Sequence, residues 1–326
     1  MRPRQFPQAP QTPMIRPVRL ALIAGAMALA SVSAAAEVHV LARGDLRIEI
    51  EVDSDRLAES FGPRFDRTAV VRSVSLDGVE FLGPWGLPDE FGLYSDGVLG
   101  YEQAAVGEGF IKIGVGRLIR DTEAGYHFAH PFPVDRVFPI EVTAGDEVLT
   151  VVQQSEGEGP WQYRYVKSYR LTGSHGLEIH YKLSNTGSPA WTFEHYNHHW
   201  FRVADVLVGP SYRVVTGFEL PIAPTSLQPG AFSLEIPGPL GPGEAHYYAS
   251  ELAEVTAHAN HFELQVFGAA AVRYQGSFSP RRFAVYADAD GLCPEVFFRA
   301  ALEPGETVSW FSTYRFDRMR AQEGDH

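Results

Sequence analysis

The sequence predicts an all-β protein whose strands form a sandwich or barrel in one large domain. Short runs of alternating or β-branched residues recur from about position 37 onward, and Gly, Pro, Asp and Asn separate them. Helical periodicity is almost absent there, and no internal repeat or change of composition divides these residues. We therefore expect a single domain over residues 37–326.

The strand candidates follow one another along the chain. The run 70–76 alternates and ends at Asp77-Gly78, a dipeptide typical of two-residue hairpin turns. Residues 221–243 hold six prolines and four glycines, which predicts a long structured loop rather than a pair of strands. Residues 249–260 are the one stretch that could form a helix. The other predicted strands cover residues 47–52, 80–82, 110–115, 140–143, 148–153, 164–171, 177–183, 212–218, 263–267, 283–287, 297–302 and 308–316.

The N-terminus has the pattern of an export signal. Arginines up to Arg19 precede an uncharged, mostly apolar run over residues 20–32, and small residues follow as far as Ala36. The apolar run is shorter than the roughly 20 residues that a membrane-spanning helix needs. We expect residues 1–36 to be a signal peptide that is cleaved after Ala36, leaving a periplasmic or secreted protein without a membrane anchor.

The mature chain would be strongly acidic. The whole chain carries 27 basic and 40 acidic residues, and loss of the four arginines in residues 1–36 leaves 23 against 40, a formal charge of −17. This balance argues against nucleic acid as a partner, since nucleic-acid binding depends on Lys and Arg at the phosphates. It also disfavours anionic membranes and polyanionic substrates, so neutral ligands fit better. Because Cys293 is the only cysteine, no intrachain disulfide can form.

Residues 194–201, Glu-His-Tyr-Asn-His-His-Trp-Phe, concentrate the side chains that carry chemistry. Histidine titrates nearest neutrality and serves in proton transfer or metal binding, and the aromatic residues offer flat faces for a sugar ring. In an extended strand, His195, Asn197 and His199 would share one face, while Tyr196 and His198 would lie on the other.

No metal and no cofactor are expected. The His195/His199 pair has the spacing that suits zinc on a helix, but its context is strand-like. The chain lacks a Gly-x-Ser-x-Gly nucleophile motif and a phosphate-binding loop that ends in Lys-Ser/Thr. For His198 itself, proton transfer, structural hydrogen bonding and metal binding all remain open. Cys293 is interpreted as a buried small apolar residue.

Six segments share a pattern with known proteins: residues 64–69, 74–81 and 108–118, Asn185-Thr-Gly187, Asn197-His-His-Trp-Phe201, and residues 302–316. In this order they resemble the galactose mutarotase-like (aldose 1-epimerase) superfamily. The resemblance implies a β-supersandwich with a carbohydrate groove on one face, acid–base interconversion of sugar anomers, and a neutral mono- or oligosaccharide as the partner. A non-catalytic carbohydrate-binding protein, or a polysaccharide lyase or hydrolase module on the same fold, is the alternative.

The resemblance also implies roles for individual residues. Opening a cyclic hemiacetal at C1 needs a base for the C1 hydroxyl proton and an acid for the ring oxygen. His198, in the Asn-His motif, corresponds to the acid, and Glu295 lies where the family's late strand carries the base. We expect these two groups to face each other across a cavity wide enough for a pyranose ring. Asn197 of the same motif and Asp205 just after it are candidates for holding sugar hydroxyls, although Asp205 also suits a plain turn.

Two segments depart from the family pattern. Gly116-Arg117-Leu-Ile-Arg120 lacks the family's Asn, and Tyr126-His-Phe-Ala-His130 lacks the Gly that follows its first histidine. Arg117 or Lys112 would then contact sugar hydroxyls, and His127 or His130 would stand in for the first histidine. For Arg117 and Lys112, a solvated strand face is the alternative.

Overall fold

Antiparallel strands make up most of the protein, which confirms the all-β prediction. The computed structural model describes residues 38–155, 157, 159–204, 206–223 and 225–319, and these residues belong to one compact unit, Ala36–His326. The predicted signal peptide lies outside the described residues. Among the residues that are described, no helix has the length and apolar composition needed to cross a bilayer.

The strands of the described residues are numbered in chain order. Strands β1 to β12 are Val38–Arg43, Leu46–Glu51, Val70–Leu76, Val79–Glu80, Asp89–Phe91, Val98–Leu99, Gly109–Lys112, Gly116–Ile119, Val134–Arg136, Ile140–Ala144, Val148–Gln154 and Tyr163–Leu171. Strands β13 to β23 are Gly176–Asn185, Trp191–Asn197, Tyr212–Thr216, Gln228–Pro229, Ser233–Glu235, Ala245–Glu251, His261–Val266, Ala270–Gly276, Arg282–Asp288, Gly291–Leu302 and Thr307–Arg318.

Two large sheets set the architecture. The larger sheet has ten strands in the order β10-β11-β12-β13-β23-β20-β19-β15-β17-β16, and the smaller has five in the order β18-β21-β22-β14-β5. The other two sheets have four strands each, in the orders β1-β2-β3-β4 and β6-β7-β8-β9. The β3–β4 connection is the predicted Asp77-Gly78 hairpin turn, and both turn residues have positive φ, 51° and 74°.

Aromatic rings join the two large sheets. Trp310 of β23 stacks on Tyr181 of the neighbouring β13, with ring centroids 5.1 Å apart. The Trp310 ring also contacts Phe193 and His195 of β14, in the five-stranded sheet, at 5.4 and 5.1 Å. These side chains are buried, and alternate residues of each strand supply them, as expected when two sheets pack face to face.

Two sequence predictions about local structure are wrong. Residues 249–260 do not form a helix: β18 pairs with β21 and buries Tyr248, and only Ala257–Ala259 forms a short 3₁₀ turn. Tertiary pairing here outweighs local helix propensity. The proline-rich stretch 221–243 contains the short hairpin of β16 and β17, which extends the ten-stranded sheet.

One helix was not predicted. Helix α1, Ser54–Phe61, begins after Asp53, whose carboxylate accepts hydrogen bonds from the backbone amides of Asp55 and Arg56 at 2.9 and 3.2 Å. It has only eight residues, too few for a clear periodic pattern. Its buried Leu57 packs in a cluster with Phe65, so the helix covers the segment that leads to the cavity described below.

A buried ionic cluster links β12 to β5. The Lys167 ammonium donates to Asp66 at 2.8 Å, to Asp89 at 2.7 Å and to the Ala69 carbonyl at 2.7 Å. The other oxygen of Asp89 accepts from the Tyr181 hydroxyl at 2.9 Å. Burial opposes ionisation of Asp89, but Lys167 and the hydrogen bond with His195 outweigh it and hold the pKa of Asp89 at about 2.

Removing the cation of this cluster should be strongly destabilising. We expect Lys167→Met to lower the free energy of unfolding by about 3–5 kcal/mol, because it leaves the Asp89 charge buried without its cation. Urea unfolding followed by fluorescence measures the loss. Lys182→Met, at an exposed position of β13, is the matched control and should change stability by less than about 0.5 kcal/mol. Equal effects of the two substitutions would contradict a structural role for the cluster.

Candidate active site

A cavity of about 600 Å³ opens on the outer face of the five-stranded sheet. On β14, His195 and Asn197 point inward, since both contact Asp89 and Asn197 also donates to Tyr181 of the ten-stranded sheet at 2.7 Å. Tyr196 points outward and lines the cavity. His198 follows the end of β14 and lines it too, so the predicted alternation of faces holds through His198.

His198 and Glu295 lie side by side on the cavity floor. The His198 Nε2 and Glu295 Oε1 atoms are 3.5 Å apart, and each residue is 5% exposed. The His198 backbone amide donates to Pro88 O at 2.8 Å, which fixes its position relative to β5. Glu295 and Cys293 are alternate residues of β22, so both side chains reach the same face. The Cys293 Sγ is 3.1 Å from His198 Nδ1 and 3.5 Å from Glu295 Oε1.

Burial shifts the pKa of both groups towards their neutral forms. It raises the pKa of Glu295 from 4.5 to about 8, with the nearby Arg64 opposing the shift. It lowers the pKa of His198 well below 6.5, and Arg64 adds to that shift. At neutral pH the cavity floor therefore holds a neutral imidazole beside a protonated carboxyl group.

A charged group forms a second part of the floor. The Arg64 Nε atom is 3.0 Å from Glu90 Oε2, and its guanidinium lies 4.5 Å from the ring centres of Phe65 and Phe128. Glu90 is fully buried, accepts from the Tyr196 hydroxyl and lies 3.5 Å from the buried Lys112 ammonium. Burial lowers the pKa of Lys112 to about 8. Glu90 thus holds Arg64 at the cavity surface.

Stacked aromatic rings form one wall. Trp200 stacks on Trp85, on His198 and on Tyr286, with ring centroids 5.1, 5.4 and 5.8 Å apart. Trp85 is 37% exposed, so its ring is available to a ligand. The Trp200 indole lies between Gly83 and Gly291, where a Cβ atom at either position would come within 2.6 Å of the ring. The Trp200 ring therefore fits between the two backbones only because both residues are glycines, and this close packing fixes the plane of the ring.

The rest of the lining combines rings with carboxylates. Phe128, Tyr94 and Tyr247 contribute apolar surface, and both tyrosines are about half exposed. Asp288 and Asp290 lie near Tyr286 and Trp200 and give the opening an acidic character. Flat apolar surface with a few convergent polar groups is typical of sites for small polar ligands.

The structure brings only some of the predicted site residues together. His198 and Glu295 both line the cavity. Lys112 lies behind it as a partner of Glu90, not on a solvated strand face, and Asn197 belongs to the inner face of β14. Asp205 lies outside the described residues.

Three other candidates lie outside the cavity lining. Arg117 pairs with Asp135 at 2.5 Å on a partly exposed strand face, and His130 pairs with Asp121 at 2.7 Å. His127 is exposed and stacks on Phe128, one side chain away from the cavity. None of these three residues is among the described side chains that line the cavity, so the structure does not support their predicted roles in sugar binding. The departures from the family motifs around Arg117 and His127 are consistent with this placement.

Sequence reasoning missed Arg64 and Glu90 as site residues, and it covered Trp200 only as one of the aromatic residues of the stretch 194–201. Arg64 and Glu90 come from segments 26 residues apart and meet only through the packing of β5 against residues 64–66. Trp200 carried a usable signal, because it follows His198 by two residues and so was placed to share its face.

The raised pKa of Glu295 predicts a pH-dependent cost to stability. A carboxyl group with a higher pKa in the folded chain binds more protons there, so the contribution of Glu295 to the free energy of unfolding falls as the pH rises from about 4.5 to 8. We expect Glu295→Gln to remove this fall, which is at most about 1.4 kcal/mol per pH unit. Urea unfolding at pH 5.5 and 8.5 measures it. Glu303→Gln, on an exposed turn, should keep the wild-type pH dependence; parallel curves for all three proteins would contradict the assignment.

Comparison with known proteins identifies the fold. No protein-family model and no curated protein sequence matches the chain. Among solved structures, it is similar to a candidate aldose 1-epimerase from Escherichia coli K12, with 13% identity, TM-score 0.53, and coverage of 86% of this chain and 99% of that one.

Two further solved structures agree. A galactose mutarotase-like protein from Clostridium acetobutylicum shows 14% identity and TM-score 0.53, with 86% of this chain and 95% of that chain covered. A galactose mutarotase related enzyme from Lactobacillus acidophilus shows 14% identity and TM-score 0.52, with 87% and 98% covered. The chain therefore has the galactose mutarotase-like β-sandwich fold that its sequence motifs indicate.

Proposed function

We propose that the protein is an aldose 1-epimerase-like enzyme, which interconverts the anomers of a neutral sugar. The observation that carries the proposal is the His198–Glu295 pair, 3.5 Å apart on the floor of an aromatic cavity. The solved structures that share this fold include a galactose mutarotase related enzyme, which supports the same reaction class.

The spacing of the pair suits the reaction. Ring opening removes a proton from the C1 hydroxyl and delivers one to the ring oxygen, and both oxygens are bonded to the same carbon. The two protein groups can therefore be neighbours. Their 3.5 Å separation differs from the expectation that they face each other across a cavity wide enough for a pyranose ring. A sugar with C1 over His198 and Glu295 would place both oxygens within reach of the pair.

The protonation states of His198 and Glu295 also suit the reaction. In the empty cavity Glu295 carries the proton and His198 is a neutral acceptor. Opening would then move the Glu295 proton to the ring oxygen and the C1 hydroxyl proton to His198. Rotation about the C1–C2 bond and ring closure reverse both transfers and restore the starting state. This order exchanges the roles that the family resemblance implies, while keeping the same two residues.

The lining favours a neutral sugar. The exposed Trp85 ring, supported by the buried Trp200, offers a stacking platform, and sugar C–H groups pack well on such rings. Arg64 can donate to hydroxyls, and its charge is already balanced by Glu90. Asp288 and Asp290 would repel an anionic ligand and accept hydrogen bonds from a neutral one. A neutral mono- or oligosaccharide is therefore the proposed substrate, and the floor pair needs a free reducing end.

Loss of either member of the pair should abolish most of the catalysis. We expect Glu295→Gln and His198→Ala to slow mutarotation of freshly dissolved α-glucose or α-galactose at least about 100-fold, because each removes one proton-transfer partner. Polarimetry measures the rate after subtraction of the spontaneous reaction, and circular dichroism checks that each variant is folded.

Matched substitutions outside the cavity serve as controls. Glu303→Gln and His180→Ala make the same chemical changes at exposed positions and should leave the rate unchanged. Full activity in Glu295→Gln would remove Glu295 from the mechanism. A wild-type protein that binds sugars without accelerating mutarotation would instead favour the alternative of a carbohydrate-binding protein.

We further propose that the protein is exported, on the strength of the basic, apolar and small-residue segments in residues 1–36. Expression of the full chain in a bacterium with a periplasm should yield a protein in the periplasm or medium that begins at Glu37. N-terminal sequencing of the recovered protein measures this. An uncleaved chain that remains in the cytoplasm would overturn the proposal.

A further inference from the structure

Three different metal-binding side chains meet at the cavity floor. One donor atom each from His198, Cys293 and Glu295 can be chosen so that all lie within 4.8 Å of one another, and all three residues are buried. The Glu295 Oε1 atom is 3.5 Å from both the Cys293 Sγ and the His198 Nε2. A tetrahedral zinc ion keeps its nitrogen, sulfur and oxygen ligands about 3–4 Å apart, given bond lengths of about 2.0–2.3 Å. The two 3.5 Å separations match this spacing. The Cys293 Sγ lies 3.1 Å from Nδ1 of His198, whereas Glu295 Oε1 lies 3.5 Å from Nε2, so a cation bound through one of these nitrogens requires a movement of the imidazole.

We propose that His198, Cys293 and Glu295 bind a single thiophilic divalent cation of the Zn²⁺ or Cd²⁺ type. Three protein ligands supply a nitrogen, a sulfur and an oxygen donor, and the fourth position faces the cavity, an arrangement found in open zinc sites. The thiolate selects soft cations over Mg²⁺ and Ca²⁺, which prefer oxygen ligands. On binding, the Cys293 S–H bond and the Glu295 O–H bond break and both protons pass to solvent. Sulfur–metal, oxygen–metal and nitrogen–metal bonds form without any change of oxidation state.

The ligand arrangement is held from outside the trio. The segment after β14 is fixed by two backbone hydrogen bonds, from His198 N to Pro88 O at 2.8 Å and from Phe201 N to Leu292 O at 3.0 Å. His199 contacts the carbonyl of Pro294, the residue between the other two ligands. Arg64 is the nearest positive group and opposes a cation, but its ion pair with Glu90 offsets this charge.

The cation would occupy the position that the sugar reaction needs. This consequence rests on the proposed epimerase function. While the cation is bound, His198 has no free lone pair to accept the C1 hydroxyl proton, and Glu295 has no proton to donate to the ring oxygen. Soft metal ions would then inhibit turnover, and sugar and cation would compete. Cation binding itself does not depend on that function.

A titration with Cd²⁺ tests the site directly. Cadmium–thiolate bonds produce an ultraviolet charge-transfer band, and Cys293 is the only cysteine in the chain, so the band has a single possible source. We expect the band to saturate at one Cd²⁺ per chain and to be absent in Cys293→Ala and Cys293→Ser. His198→Ala and Glu295→Gln should weaken binding at least tenfold. His130→Ala, outside the cavity, should bind like wild type.

Two readouts separate this proposal from the proposed function. Absence of the band in the folded wild-type protein, or a band unaffected by both His198→Ala and Glu295→Gln, would overturn the cation site whatever the enzyme activity. If wild type catalyses mutarotation, saturating Cd²⁺ should suppress its rate at least tenfold, and Cys293→Ala should resist Cd²⁺ relative to its own metal-free rate. Full activity with the site saturated would overturn the competition while leaving cation binding established.

Discussion

The ammonium of Lys167, buried between Asp66 and Asp89, is the contact on which the position of the candidate site depends. Asp66 follows Arg64 by two residues, and its backbone amide also donates to Asp89 O at 2.9 Å. Asp89 in turn precedes Glu90, the partner of Arg64. The cluster therefore fixes both ends of the Arg64–Glu90 pair from behind, where solvent cannot compete.

Neighbouring residues of the same two strands serve opposite purposes. On β5, Asp89 points towards the core and Glu90 points to the opposite side, where it lies behind Arg64. On β14, Asn197 and Tyr196 divide in the same way and pair with them in register. The inward residues join the sheets through hydrogen bonds and rings. The outward residues are left to shape a ligand site, so a change of register by one residue would exchange the two sets.

The sequence predicts the fold class, the outward face of His198 and the late position of Glu295, because these depend on alternation and on motifs local to one strand. The predictions fail where long-range packing decides. Arg64 lies at the cavity floor because it pairs with Glu90. Arg117 lies outside the cavity lining, where it pairs with Asp135. The segment 249–260 carries helix-forming residues, yet its first three residues belong to β18, which pairs with β21 at the edge of the five-stranded sheet.

The stacked Trp85 and Trp200 rings give the cavity a spectroscopic property of its own. Trp200 is held between Gly83 and Gly291 and cannot turn, whereas Trp85 keeps part of its ring in water. A ligand that covers Trp85 would remove that water while the geometry of the pair stays constant. Fluorescence from these two indoles would then report whether a ligand occupies the cavity, and not a change in the arrangement of the rings. Ligand binding could therefore be measured in variants that lack catalytic activity.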